Sequence, residues 1–147
     1  MEEPALIAST TKIMTGLLVS EHCSLDEVVT IPQEAVGVEG SSLYLQQGEQ
    51  RTVEELLYGM MLHSGNDAAV ALALHCSGSL EGFVVQMNRK AEALQLRHTK
   101  FANPHGLDSE DNYASAQDLG ILTCYAMENP VFYKVVGTKT IAFEDRS

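Results

Sequence analysis

Four residues carry the chemistry that this sequence can be read for: Ser9 with Lys12, spaced as S-x-x-K, and Ser64 with Asn66 in Ser64-Gly65-Asn66. Side chains three apart on a helix share a face, so a helical Ser9–Lys12 segment lets the amine reach the hydroxyl. A serine hydroxyl is a poor nucleophile until a base takes its proton. Lysine serves as that base only when burial or the positive end of a helix lowers its pKa. The same four residues also suit a plainer role, a Ser N-cap followed by a solvated Lys. In the second set, the Ser64 hydroxyl can pass a proton and the Asn66 amide can donate to a carbonyl. A helix N-terminus beside them favours developing negative charge. Capping alone would also account for them.

The elements that must position these residues follow from periodicity. Ile13, Met14, Leu17 and Leu18 fall at helical spacing, which predicts a first helix from about Thr10 to His22 with Ser9 at its N-terminus. Val28 to Ile31 reads as a short strand stopped by Pro32, and Ser41 to Leu45 as a possible second one. Thr52-Val53-Glu54-Glu55 is a capping box. It opens a helix whose inner face is Val53, Leu56, Leu57, Met60 and Met61, ending at His63-Ser64-Gly65 with Gly65 as the left-handed cap. Ala68 to Cys76 is apolar on every side, which predicts a buried central helix capped by Asn66 or Asp67. A third amphipathic helix, Leu80 to Leu94, turns Leu80, Phe83, Val84, Met87, Ala91 and Leu94 inward. Asn103-Pro104-His105-Gly106 is turn chemistry. Ser115 with Asp118 starts a helix carrying Leu119, Leu122 and Met127. Pro130 begins a short helical turn, and Thr138 to Phe143 alternates like a strand.

The 147 residues suffice for one domain with a proper core. Twenty acidic residues against nine basic ones give a net charge of −11, which argues against binding to nucleic acid or an anionic membrane surface. No apolar run reaches the length of a membrane span. Cys23, Cys76 and Cys124 form no C-x-x-C and read as small buried residues. His22, His63, His75, His98 and His105 show no metal-ligand spacing, so neither metal nor cofactor is expected. The G-x-S-x-G elbow of a Ser-His-Asp hydrolase is missing too. Met1 to Ala8 is short and acidic rather than a signal peptide, so a targeting segment of an exported protein would lie outside this chain.

Taken together and in order, the two motifs match the S-x-x-K and S-x-N elements of penicillin-binding proteins. The surrounding segments resemble the D-alanyl-D-alanine carboxypeptidases of the low-molecular-mass branch. They are Ala8–Thr15, Gly40-Ser41-Ser42-Leu43, His63–Ala68, Phe101–Leu107 and Tyr113–Leu119. The resemblance implies an α+β transpeptidase-like parent fold, of which 1–147 would be the mainly α-helical lobe. The strands that precede S-x-x-K would be lacking, and so would the strand bearing the family's third motif, K-T-G. Lys139-Thr140 is followed by Ile141 and comes too soon after the 103–107 turn to be that motif.

Ser9 would be the acylated nucleophile and Lys12 its base. Ser64 would relay a proton to the leaving amine, and Asn66 would hold the substrate amide and Lys12. One oxyanion donor would be the N–H of Ser9. The implied partners are a peptidoglycan stem peptide ending in D-Ala-D-Ala and β-lactams, and the implied location is the extracytoplasmic envelope. Without the sheet, the lobe is expected to be inactive alone, to self-associate, and to let water restore the Lys12 pKa. A β-lactamase-like hydrolase is one alternative, although Glu110-Asp111-Asn112 does not match the deacylating E-x-x-L-N loop. A non-catalytic helical module is the other.

Overall fold

The computed structural model describes residues 3–107 and 112–137. Six helices dominate it: α1 (Glu3–His22), α2 (Val53–His63), α3 (Asn66–Ser77), α4 (Leu80–Ala93), α5 (Ala116–Met127) and α6 (Pro130–Gly137). A two-stranded antiparallel ribbon joins β1 (Val28–Thr30) to β2 (Gln50–Thr52), with Val29 opposite Arg51. The expected strand over 138–143 lies outside the described residues.

Two helices share the centre. α3 is buried from Asn66 to Ala73, as its all-round apolar sequence predicts. α1 touches every other helix. Its buried surface includes Thr10, Thr11, Thr15 and Ser20 as well as Met14, Leu17, Leu18 and Val19. An amphipathic reading assigns those hydroxyls to solvent. Three of them are instead satisfied by backbone carbonyls: Thr10 donates to Leu6 at 2.7 Å, Ser20 to Gly16 at 2.7 Å and Thr15 to Pro104 at 2.7 Å. A hydroxyl bonded to a carbonyl can be buried at little cost. The last of these bonds ties the 103–107 turn to α1.

α1 also begins earlier than its apolar face suggests. Pro4 in the first turn lacks only an N–H that a helix start leaves unbonded anyway. The Thr52 capping box forms as expected, with the Thr52 hydroxyl accepting from the Glu55 N–H at 3.1 Å. Ser41–Leu45 is not a strand. Its Leu43 and Leu45 N–H groups are taken by the Asp67 carboxylate, and Tyr44 turns to φ 58°. β2 was hidden because Gln50-Arg51-Thr52 has no apolar alternation; β1 supplies its pairing.

Cys23 and Cys76 form a disulfide, which corrects the reading of both as simple buried apolar residues. It joins the residue after α1 to the penultimate residue of α3. Cys124 is free and exposed on α5. Among the described residues no single helix is long and apolar enough to cross a membrane.

Candidate active site

Ser9, Lys12 and Ser64 line one cleft of about 230 Å³, together with Ala8, Ile13, Met60 and Met61. α1 supplies the first pair and the corner between α2 and α3 supplies Ser64, so 55 residues of chain fold back to close the set. Lys12 is only 8% exposed. Its amine donates to the Ser64 backbone carbonyl at 3.2 Å, and among the described residues no carboxylate pairs with it. Burial therefore holds its pKa below the ordinary lysine range. The expectation that water would restore that pKa is corrected: the α2–α3 corner covers the amine without any further sheet. No hydrogen bond joins Lys12 to the Ser9 hydroxyl among the described residues, though in a site without substrate such bonds are often loose.

Ser9 departs from expectation in one respect. It lies six residues past Glu3, inside α1 rather than at its start. Its N–H lies beyond the first turn, so it belongs to the helical ladder and does not serve as an oxyanion donor in this conformation. The positive end of α1 is also a turn and a half away. Burial, not the α1 dipole, is what tunes Lys12.

The left-handed position of the α2–α3 corner falls on Ser64, at φ 54° and ψ 33°, and not on Gly65. Gly65 sits at φ −63° and is needed for space: a Cβ there would lie 3.0 Å from Leu43 Cγ and 3.4 Å from the Gly59 carbonyl. Leu43 thus wedges between two glycines, Gly59 and Gly65, and leaves the strained conformation to Ser64. Backbone strain of this kind costs about 1–3 kcal/mol and concentrates at functional sites.

Asn66 is 5% exposed and clamps the 39–41 loop. Its N–H donates to Ser41 O at 2.8 Å and its Nδ2 to Glu39 O at 2.8 Å. Gly40 must be glycine, since it has φ 85° and a Cβ would come within 2.5 Å of Asn66 Nδ2. Asn66 does not line the cleft with the other three.

Sequence reasoning weighed Asp67 only as an optional helix cap. It is 1% exposed. Its carboxylate accepts from the N–H groups of Leu43 at 3.0 Å, Leu45 at 3.0 Å and Ala68 at 2.9 Å, and from the Ser42 hydroxyl at 2.8 Å. One side chain thereby fixes both the start of α3 and the loop that holds Leu43 in place. Its position directly after Ser64-Gly65-Asn66 was the available signal.

The 103–107 turn packs on α1 at Ala8 and Thr11. Gly106 has φ 90°, and a Cβ there would lie 2.7 Å from Ala8 Cα. Asn103 Oδ1 accepts from Gly106 N–H at 2.6 Å, and His105 Nδ1 accepts from Leu107 N–H at 3.1 Å. Burial and the neighbouring Lys12 charge push the His105 pKa down to about 4, so the ring is neutral at pH 7 and keeps its acceptor nitrogen.

Comparison with known proteins points one way. A family model described as D-alanyl-D-alanine carboxypeptidase, peptidase S11, matches residues 1–147. The chain is 42% identical over 136 residues to the D-alanyl-D-alanine carboxypeptidase DacF of Bacillus subtilis, covering 89% of this chain and 35% of that protein. It is 36% identical over 148 residues to DacD of Escherichia coli, covering 92% and 38%. The crystal structure of penicillin binding protein 6B from Escherichia coli superposes with a TM-score of 0.83 at 36% identity, over 87% of this chain and 44% of that one. The chain therefore spans little more than a third of the length of these curated relatives.

Proposed function

The chain belongs to the D-alanyl-D-alanine carboxypeptidase family, and from that premise we propose that its protein is a serine-type hydrolase that removes the terminal D-Ala from peptidoglycan stem peptides. The observation that carries the reading is the buried, carboxylate-free Lys12 amine in one cleft with Ser9 and Ser64. A neutral amine there can take the Ser9 proton as Oγ attacks the carbonyl of the penultimate D-Ala. The tetrahedral adduct collapses with loss of the terminal D-Ala amine, which receives a proton through the Ser64 hydroxyl. Water then attacks the Ser9 ester and releases the shortened stem. Asn66 has one N–H committed to Glu39 O; its second N–H and its Oδ1 are the atoms with which it would hold the substrate amide and Lys12.

A β-lactam carbonyl meets the same serine. Its leaving nitrogen stays tethered after ring opening, so the ester persists. The described lining of the cleft holds no cation besides Lys12 to take the substrate carboxylate. We therefore assign 1–147 to the helical lobe of a transpeptidase-like domain, whose facing strand supplies that grip and the oxyanion donors. The protein acts in the cell envelope, outside the cytoplasm, where a Cys23–Cys76 disulfide persists.

The test is intact-mass spectrometry after incubation with a penicillin. One adduct carrying the full mass of the penicillin is expected, absent in Ser9→Ala, together with D-Ala release from a peptide ending in D-Ala-D-Ala. Hydrolysed penicillin accumulating without an adduct would make the protein a β-lactamase. Neither adduct nor release from the protein with its facing strand would make it a non-catalytic module.

A further inference from the structure

The disulfide at the other end of α1 and α3 has two unlike sulfurs. Cys23 follows α1, and Cys76 is the penultimate residue of α3. Both residues are half-buried at the edge of the core. Cys76 lines an open groove of about 440 Å³ with Leu18, Glu21, Arg89 and Lys90, and Cys23 does not line it. Cys23 has different company. Its Sγ, a His75 ring nitrogen and a Glu27 carboxylate oxygen lie within 4.8 Å of one another, and Cys76 stands outside that group. The His75 Nε2 is 2.8 Å from Glu27 Oε1, and the second Glu27 oxygen accepts from the Ser24 N–H at 2.6 Å. The acylation chemistry uses none of these groups.

We propose that Cys23–Cys76 is a directional thiol–disulfide exchange site, in which an external thiolate enters the groove, attacks Cys76 and displaces Cys23 onto a proton from the His75–Glu27 pair. Exchange needs a thiolate to reach one sulfur while the other leaves, and a better-stabilised leaving sulfur goes faster. Access selects Cys76, since a thiolate coming through the groove meets that sulfur. Charge selects Cys23 as the sulfur that leaves. Both cysteines sit at helix C-terminal ends, whose partial negative charge disfavours a thiolate. Cys23 has His75 beside it to protonate it, directly or through one water. Glu27 orients the imidazole and balances its positive charge. The groove also suits an anionic reactant: Lys90 is held by Glu21 at 2.9 Å, while Arg89 has no ion pair among the described residues.

The step balances as a displacement. The incoming sulfur bonds to Cys76 Sγ, the S–S bond breaks, and its electron pair leaves on Cys23 Sγ, which takes the His75 proton. His75 regains a proton from water. A monothiol such as glutathione stops there, as a mixed disulfide on Cys76. A dithiol goes further: its second thiolate attacks its own bound sulfur and releases Cys76, which takes a proton from water. Two electrons thereby pass from the dithiol to the protein.

The test places the oxidised full chain, with the free Cys124 alkylated beforehand, in reduced glutathione under native conditions. Acid quenching, alkylation of new thiols at low pH and peptide mass spectrometry then locate the adduct. Expected is glutathione on Cys76 with a free thiol on Cys23, in roughly tenfold excess over the reverse pairing. His75→Gln and Glu27→Gln should each slow opening by roughly tenfold or more. Each should slow reclosure by the same factor, because a group that protonates the departing sulfur deprotonates the returning one. The balance between open and closed forms should therefore stay put. A purely structural role would instead speed opening and displace that balance, which overturns the proposal. So does glutathione on Cys23 in equal or greater amount, the absence of exchange in the folded chain, or rates that neither substitution moves.

Discussion

α1 and α3 run side by side in the same direction, and their two ends are built in contrasting ways. At the starting end, Ser9 and Lys12 meet Ser64 with no covalent tie, a buried amine without a carboxylate, and a serine in left-handed backbone. At the finishing end, Cys23 is bonded to Cys76 and His75 pairs with Glu27. One end stores polar cost, and the other holds the helices together so that this cost can be borne. Function and stability are thus separable along the same two helices, and substitutions should show it.

The largest effect belongs to the starting end. Lys12→Met should slow acylation by a penicillin by roughly 10²–10⁴-fold, the range for loss of a general base. Its urea midpoint should stay level or rise, because a buried amine is gone. In the wild type the rate should climb with pH to a midpoint below the ordinary lysine value, since burial lowers the Lys12 pKa. Between the folded and unfolded pKa values the unfolded chain holds more protons, so stability should also rise with pH across that window. Both slopes should vanish in Lys12→Met. A midpoint at the free-lysine value would mean that the corner does not desolvate the amine.

Next comes the finishing end. The disulfide spans a sequence separation of 53. Loop-closure entropy alone makes its loss worth about 4 kcal/mol. The double variant Cys23→Ser/Cys76→Ser should melt roughly 10 °C lower. Its acylation rate at 25 °C should match the wild type. Parallel loss of both readouts would show that the two ends are coupled after all.

The smallest effect sharpens the contrast within the corner itself. Ser64→Gly removes the left-handed penalty and should raise stability by about 1 kcal/mol. Ser64→Ala keeps the penalty and should not. Both lose the hydroxyl, so both should release D-Ala more slowly. Equal stability of the two would mean that Leu43 does not force the strain.

Much of this was legible in residue order. The S-x-x-K and S-x-N segments, the Thr52 capping box and the apolar Ala68–Cys76 run each follow local rules that tertiary structure respects. What stayed hidden depends on partners remote in sequence. Thr15 looks solvent-facing until the Pro104 carbonyl accepts its hydrogen bond. Ser41–Leu45 looks like a strand until Asp67 takes its N–H groups. Gly65 looks like the left-handed cap until Leu43 claims its space. Cys23 and Cys76 carry no spacing signal because their pairing is set by two helix ends arriving together. The start of α1 was missed for the opposite reason: Glu3 to Ala8 has good helical composition but no apolar stripe to reveal it.

The Cys23–Cys76 bond also decides how the molecule would answer a mechanical pull. Tension applied between residues 3 and 137 would run up α1, cross from Cys23 to Cys76, and continue into α4. The ribbon, the Leu43 wedge, α2 and most of α3 lie inside the bypassed segment and would carry no load. Held by a single-molecule tether, the oxidised chain would unravel to a contour shorter than the reduced one by roughly 180 Å, the extended length of the 53-residue span. Ser64 would sit in the sheltered part and Ser9 on the loaded strand, so a stretched molecule would part its nucleophile from its proton relay while the disulfide stayed whole.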